Sequence, residues 1–262
     1  MANQKGGVGK TATTLGLASA ITYAGGRVLI VDMDPQGNST GGVGVEVGEE
    51  QPTVTDLFDR NAAPGAAADV VVASAWDGVD IAPATRELAN VEEAGDADLV
   101  WRLDTAFEGL DLSAYDAVLF DCPPSLGRLL FSALVAADAA VVVTEATKDS
   151  VKGVTEVEET IERVRRRPNK RLQLGAIVVS RRRNVAEHNY RESELRTAYG
   201  TLGDGNRGLV ARTVIPDLAA RQDAHSESKP MHLFRGGKAL ALQVAYTDLA
   251  KELGLLPNGA SA

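Results

Sequence analysis

Seven residues near the start, Lys5-Gly6-Gly7-Val8-Gly9-Lys10-Thr11, constrain the fold of this chain more than any other stretch. Gly6, Gly7 and Gly9 let the backbone pass close to an anion with its amides turned inward, because no Cβ stands in the way. The Gly-Lys-Thr ending runs straight into a helical pattern over residues 10–24. A helix N-terminus adds unpaired N–H groups and partial positive charge, so loop and helix together make a phosphate cradle. Lys10 then reaches the outer phosphates and the Thr11 hydroxyl is the expected Mg²⁺ ligand, with Val8 and Ala12 completing the cradle. Such a loop ordinarily follows a strand. Only Met1 to Gln4 precede it here, so the first strand is expected to be truncated or a stub.

Short, continuous apolar runs recur downstream at 27–31, 79–81, 117–120, 139–143 and 174–179, with a weaker one at 209–214. Unbroken apolar strands are what a sheet covered on both faces requires. Helical patterns fall between them at 98–107, 126–136, 150–167, 186–199 and 237–253. This alternation predicts an α/β fold: one doubly wound, mostly parallel sheet with helices on both faces, of the P-loop NTPase type. Residues 1–262 read as a single domain, with 44–75 as a surface insertion and 257–262 as a frayed tail.

Bulk properties exclude several classes. Cys122 is the only cysteine, which rules out an intramolecular disulfide and leaves no thiolate set for a metal. The most apolar region, 129–143, is too short to span a bilayer and is interrupted by Asp138. With no basic-then-apolar leader, a cytoplasmic location is expected. The net charge of -9 argues against a uniformly basic nucleic-acid binder, yet eleven arginines and lysines crowd into residues 163–196.

Three further segments carry acids or prolines in a telling order: Val31-Asp32-Met33-Asp34-Pro35-Gln36-Gly37-Asn38, Asp116-Ala117-Val118-Leu119-Phe120-Asp121-Cys122-Pro123-Pro124, and Thr213-Val214-Ile215-Pro216. Two acids as close as Asp32 and Asp34 repel unless a cation lies between them. Together with the second lysine, Lys5, these segments resemble the ParA/MinD family, whose deviant Walker A loop carries that extra lysine. The resemblance implies a weak ATPase using ATP and Mg²⁺, with Lys5, Lys10 and Asp34 in catalytic roles. Asp34 would orient the attacking water, Asp32 and Asp121 would support the metal beside Thr11, and Lys5 would cross a dimer interface to the partner's phosphates. Asn184 and Pro216 are the implied adenine contacts.

The same resemblance implies an ATP-dependent homodimer, nonspecific DNA binding through Arg181, Arg182, Arg183 and Arg221, a ParB-like or other cargo adaptor, and a nucleoid-associated location. Asp217 departs from the family, which usually has an arginine directly after Ile-Pro. Arg163 to Arg167 serve equally well as cations at a helix C-terminus. The alternative, a MinD-like membrane-associated ATPase, needs a basic amphipathic C-terminal helix. Residues 238–262 offer only Lys238 and Lys251 beside Asp248 and Glu252. A lone cysteine also disfavours the iron–sulfur relatives.

Overall fold

The computed structural model describes residues 1–93, 96, 98–204 and 208–257. Helix α1 (Lys10–Tyr23) leads into β1 (Val28–Asp32), α2 (Asn38–Gly42), α3 (Ala67–Val70), β2 (Val72–Ala73) and β3 (Val79–Ala82). Next come α4 (Ala89–Glu93), α5 (Leu99–Phe107), β4 (Ala117–Asp121), α6 (Arg128–Ala136), β5 (Ala139–Glu145), α7 (Ser150–Arg166) and β6 (Gln173–Ser180). Helices α8 (Ala186–Tyr199), α9 (Ala220–Ser226) and α10 (Gly237–Glu252) complete the described elements.

Four strands pair in the order β2-β3-β1-β4, all parallel except for the β2–β3 pair, while β5 and β6 form a separate parallel pair. Residues Met1–Asn3 close the gap between the two groups. The Ala2 N–H donates to Val141 O at 2.9 Å and Ala2 O accepts from Val143 N at 3.1 Å. On the other side Met1 O accepts from Cys122 N at 3.3 Å, and the Met1 ammonium donates to Phe120 O. The expected stub is therefore a short extended segment that makes one continuous sheet and delivers the glycine loop from its middle.

Helices cover both faces. Leu17 and Ile21 of α1 are buried with Leu242 and Leu249 of α10, while Leu103, Leu129, Leu130, Val157 and Ile161 fill the opposite face from α5, α6 and α7. Two local expectations change. The run 209–214 forms isolated bridges, Val210 with Ile177 and with Thr201, not a regular strand. Its ladder is interrupted where Glu252 of α10 accepts from Arg212 N at 2.6 Å and Thr213 N at 3.0 Å. The stretch 44–75 is more than a surface insertion, because Val54, Leu57, Phe58, Ala67 and Val70 are all buried in the core beside α5. Of the tail, Pro257 lies beside Gly26, and residues 258–262 fall outside the described residues.

The α1–α10 contact depends on one glycine. A Cβ at Gly16 would stand 2.4 Å from the Tyr246 ring, which is itself fully buried. Replacing a helical glycine ordinarily gains up to about 1 kcal/mol of helix propensity. Overpacking typically costs about 1–3 kcal/mol, which outweighs that gain. Gly16→Val is therefore expected to lower the urea midpoint, whereas Tyr246→Phe should leave it unchanged or raise it, because the Tyr246 hydroxyl is buried without a hydrogen-bond partner among the described residues.

Candidate functional site

The loop leaves the sheet at Asn3, whose buried side chain ties it down. Asn3 Nδ2 donates to Val143 O at 2.6 Å and Asn3 Oδ1 accepts from Lys5 N at 2.9 Å. Gly7 and Gly9 have φ of 76° and 95°, a left-handed path that L side chains rarely follow. A Cβ at Gly9 would also lie 2.6 Å from Ser180 Oγ, so no other residue fits there. The loop borders a cavity of about 710 Å³ that Gly6, Gly9, Lys10, Thr11, Ala12 and Asp34 help to line. Val8 is buried behind the loop, holding it from the core side.

Sheet order puts the acids on one side of this loop. Asp32 and Asp121 end the adjacent strands β1 and β4 and are both fully buried. Ser39 Oγ donates to Asp121 at 2.7 Å and Thr14 Oγ1 at 3.4 Å, and the nearby Thr11 hydroxyl favours its charged form. Burial pushes the Asp121 carboxyl up, against these hydroxyls and the Lys10 charge. Burial and then the Asp121 charge push Asp32 up to about 7. Burial likewise pushes the Lys10 ammonium down, opposed by Asp121. Burial opposes the charged form of both carboxylates, and the cations acting on Asp121 are the Met1 ammonium and Lys10. The Thr11 hydroxyl next to Asp121 fits a hard divalent cation such as Mg²⁺, which keeps most of its waters and needs few protein ligands. Among the described residues no trio of His, Cys, Asp or Glu forms a metal cage of its own.

The two switch acids differ in what they hold. Asp32 Oδ2 accepts from both Thr40 N and Thr40 Oγ1 at 2.8 Å, and its Oδ1 accepts from Asp34 N at 3.1 Å. Asp32 thus fixes residues 34–40, a bracing role the sequence did not reveal. Asp34 is 8% exposed, faces the cavity, and accepts from Gln36 N at 3.0 Å with one oxygen.

On the other side of the loop lie β5 and β6. Lys5 is 3.6 Å from Glu145, and Arg181 pairs with the same carboxylate at 2.9 Å while donating to Gly7 O at 2.8 Å. The expected DNA arginines therefore separate. Arg181 sits on the loop, and Arg221 borders the cavity. Arg182 is tied to Glu192 and Asn189, and Arg183 remains the most exposed, its side chain at 65%. Asp217 lies within 3.8 Å of Arg181, Arg183 and Arg221. Arg191 and Arg196 are likewise paired, with Glu187, Glu194 and Glu192. Asn184 is exposed and Pro216 half-buried, and neither borders this cavity.

A glycine loop between parallel strands, opening a helix beside strand-end acids, defines a P-loop NTPase fold. A family model described as an AAA domain matches residues 1–174. The chain is 33% identical to the sporulation initiation inhibitor protein Soj of Bacillus subtilis over 260 residues, covering 96% of this chain and 95% of Soj. It is 36% identical to the chromosome partitioning protein ParA of Caulobacter vibrioides over 259 residues, covering 97% and 92%. A Mycobacterium smegmatis cobyrinic acid a,c-diamide synthase with ADP and magnesium superposes with a TM-score of 0.73 at 27% identity, covering 95% and 92%. A Cyanothece McdA–ATP complex superposes at 0.81 and 19% identity over 98% and 95%, a likeness of fold. This chain belongs to the ParA/Soj family.

Asp32→Ala would leave three donors around residues 34–40 without their acceptor, each costing about 1–3 kcal/mol, against which stands the relief of one buried charge. A net loss of roughly 2 kcal/mol is expected, seen as a lower urea midpoint. An unchanged or higher midpoint would remove the bracing role.

Proposed function

We propose that this chain, as one domain over 1–262, is an ATP-hydrolysing partition protein. The observation that carries this reading is the cradle itself: Gly7, Gly9 and Lys10 on one cavity with Thr11 and Asp34, beside the buried Asp121. ATP is the substrate. Loop amides and Lys10 hold its phosphates, and Thr11 with Asp121 behind it holds Mg²⁺, which supplies charge neutralisation. Asp34 takes the free acceptor position facing the cavity and orients the attacking water. Asp121 donates nothing; its part is to keep hydroxyls and cation in register.

Lys5, with a side chain 55% exposed and only a 3.6 Å pair to Glu145, is free to swing to a second copy. ATP shared across such a sandwich makes dimerisation depend on nucleotide, and hydrolysis, stimulated by a ParB-like or other adaptor, ends it. The relatives named for chromosome partitioning support a DNA or protein cargo. DNA contact falls to exposed cations, with Arg183 foremost. Among the described residues no helix is long and apolar enough to cross a membrane. Helix α10 carries few cations, which favours a nucleoid-associated, cytoplasmic protein over a membrane-surface one.

Asp34→Ala tests the cycle. Ground-state binding should persist while the interaction serving the transition state is lost, so turnover falls about 10²–10⁴-fold and the ATP dimer accumulates by light scattering. Normal turnover, or a monomer with ATP bound, would contradict the assignment. For DNA, Arg183→Glu is expected to weaken ATP-dependent binding severalfold at low salt and to flatten its salt dependence by about one phosphate contact. Unchanged affinity would move the patch elsewhere.

A further inference from the structure

The cations of residues 163–196 divide into two groups by what they touch. Arg181, Arg182, Arg183, Arg191 and Arg196 are each ion-paired with an acid. Ahead of them only Arg165 is, with Glu162. Arg163, Arg166, Arg167, Lys170 and Arg171 are exposed and form no ion pair among the described residues. One acid of α5 acts on this second group: burial pushes the Asp104 carboxyl up, and the Arg171 charge opposes that shift. A helix C-terminus carries only about half a negative charge. Five cations exceed what the end of α7 can neutralise, so a capping role does not account for them.

The turn that carries them is fixed in place. Asn169 is 5% exposed, and its Nδ2 donates to Val135 O at 2.9 Å and Ala137 O at 2.6 Å, at the end of α6. Its Oδ1 accepts from Arg171 N at 3.1 Å and Leu172 N at 3.2 Å. The turn enters β6 at the end opposite Ser180, whose hydroxyl donates to Val8 O of the glycine loop. Eight residues at about 3.3 Å each put roughly 25 Å between the two ends. The Asn169 bonds reach α6 and the turn itself, so the cations are displayed whether or not nucleotide fills the loop. Among the described residues no large apolar side chain is exposed between 150 and 180, so this surface has nothing to insert into lipid. We infer that the α7–β6 turn is a second, nucleotide-independent contact for the phosphate backbone of duplex DNA. Arg166, Arg167, Lys170 and Arg171 make it, with Arg163 one helical turn behind. Guanidinium forks match phosphate oxygens and shed water readily, which suits a rigid surface of this kind. The inference takes its partner from the partition reading above, but its site is independent of the nucleotide cavity.

The test separates this turn from the nucleotide cycle. Binding of a fluorescent duplex of about 30 base pairs is followed by anisotropy, with and without MgATP, between about 25 and 200 mM salt. Without nucleotide, wild type is expected to bind with a log–log salt slope near about −4, since each phosphate contact contributes about 0.9. Arg166→Glu, Arg167→Glu, Lys170→Glu and Arg171→Glu combined should weaken that binding at least about tenfold and flatten the slope, whereas Arg183→Glu should leave it within about twofold. Nucleotide-free affinity within about twofold of wild type in the combined variant would overturn the turn's role. Wild type that binds DNA only with ATP would overturn it too, while leaving the partition reading intact. Wild type that ignores DNA in every nucleotide state but gathers on phosphatidylglycerol vesicles would overturn both. Should the combined variant fail to fold, glutamine at the same four positions decides: the same direction of loss is expected, and wild-type affinity and slope would refute the contact.

Discussion

Met1 pairs with β4 on one side and Ala2 with β5 on the other, so among the described residues these join the two strand groups into one sheet. The buried Asn3 amide then fixes where the loop departs. Everything chemical follows from that junction: the loop emerges at the middle of the sheet, with Asp32 and Asp121 ending β1 and β4 on one side and Glu145 and Ser180 ending β5 and β6 on the other. Without the junction, the four-stranded and two-stranded groups would have no shared ladder and the cradle no fixed floor.

The site depends on charges held where water cannot screen them. Asp32, Asp121 and Lys10 are all buried, and burial opposes the charged form of each. Such a cluster is costly for an idle protein, which is why perturbed groups gather at functional sites. The outer network is organised differently. Glu145 and Asp217 each collect more than one cation at partly exposed positions, where ion pairs contribute little stability. Their effect is on position: they decide which way Lys5, Arg181 and Arg221 point.

Much of this is legible in the chain. The loop, the helices at 150–166 and 186–199 and the strands at 117–121 and 173–180 carry strong local signals, and the structure follows them within a few residues. The stub is expected because a phosphate loop has to be delivered by something. Less legible are features set by tertiary partners. The run 209–214 has strand composition but yields its amides to Glu252, a residue some forty positions away. The stretch 44–75 is rich in glycine and alanine, yet its few large side chains reach the core. Asp32 and Asp34 look alike in sequence, and only their partners distinguish a brace from an acceptor facing the cavity. The run Arg181-Arg182-Arg183 reads as one basic patch, whereas the left-handed turn at Arg181 sends its side chain to the loop.

The most direct measurement is a crystal structure with a non-hydrolysable ATP analogue and Mn²⁺ in place of Mg²⁺, using anomalous scattering to locate the metal. Phosphates are expected on the amides of residues 7–11, with a single metal peak at the Thr11 hydroxyl on the Asp121 side and Asp34 facing the terminal phosphate. A metal bound directly by Asp32, or phosphates seated away from the loop, would contradict this arrangement.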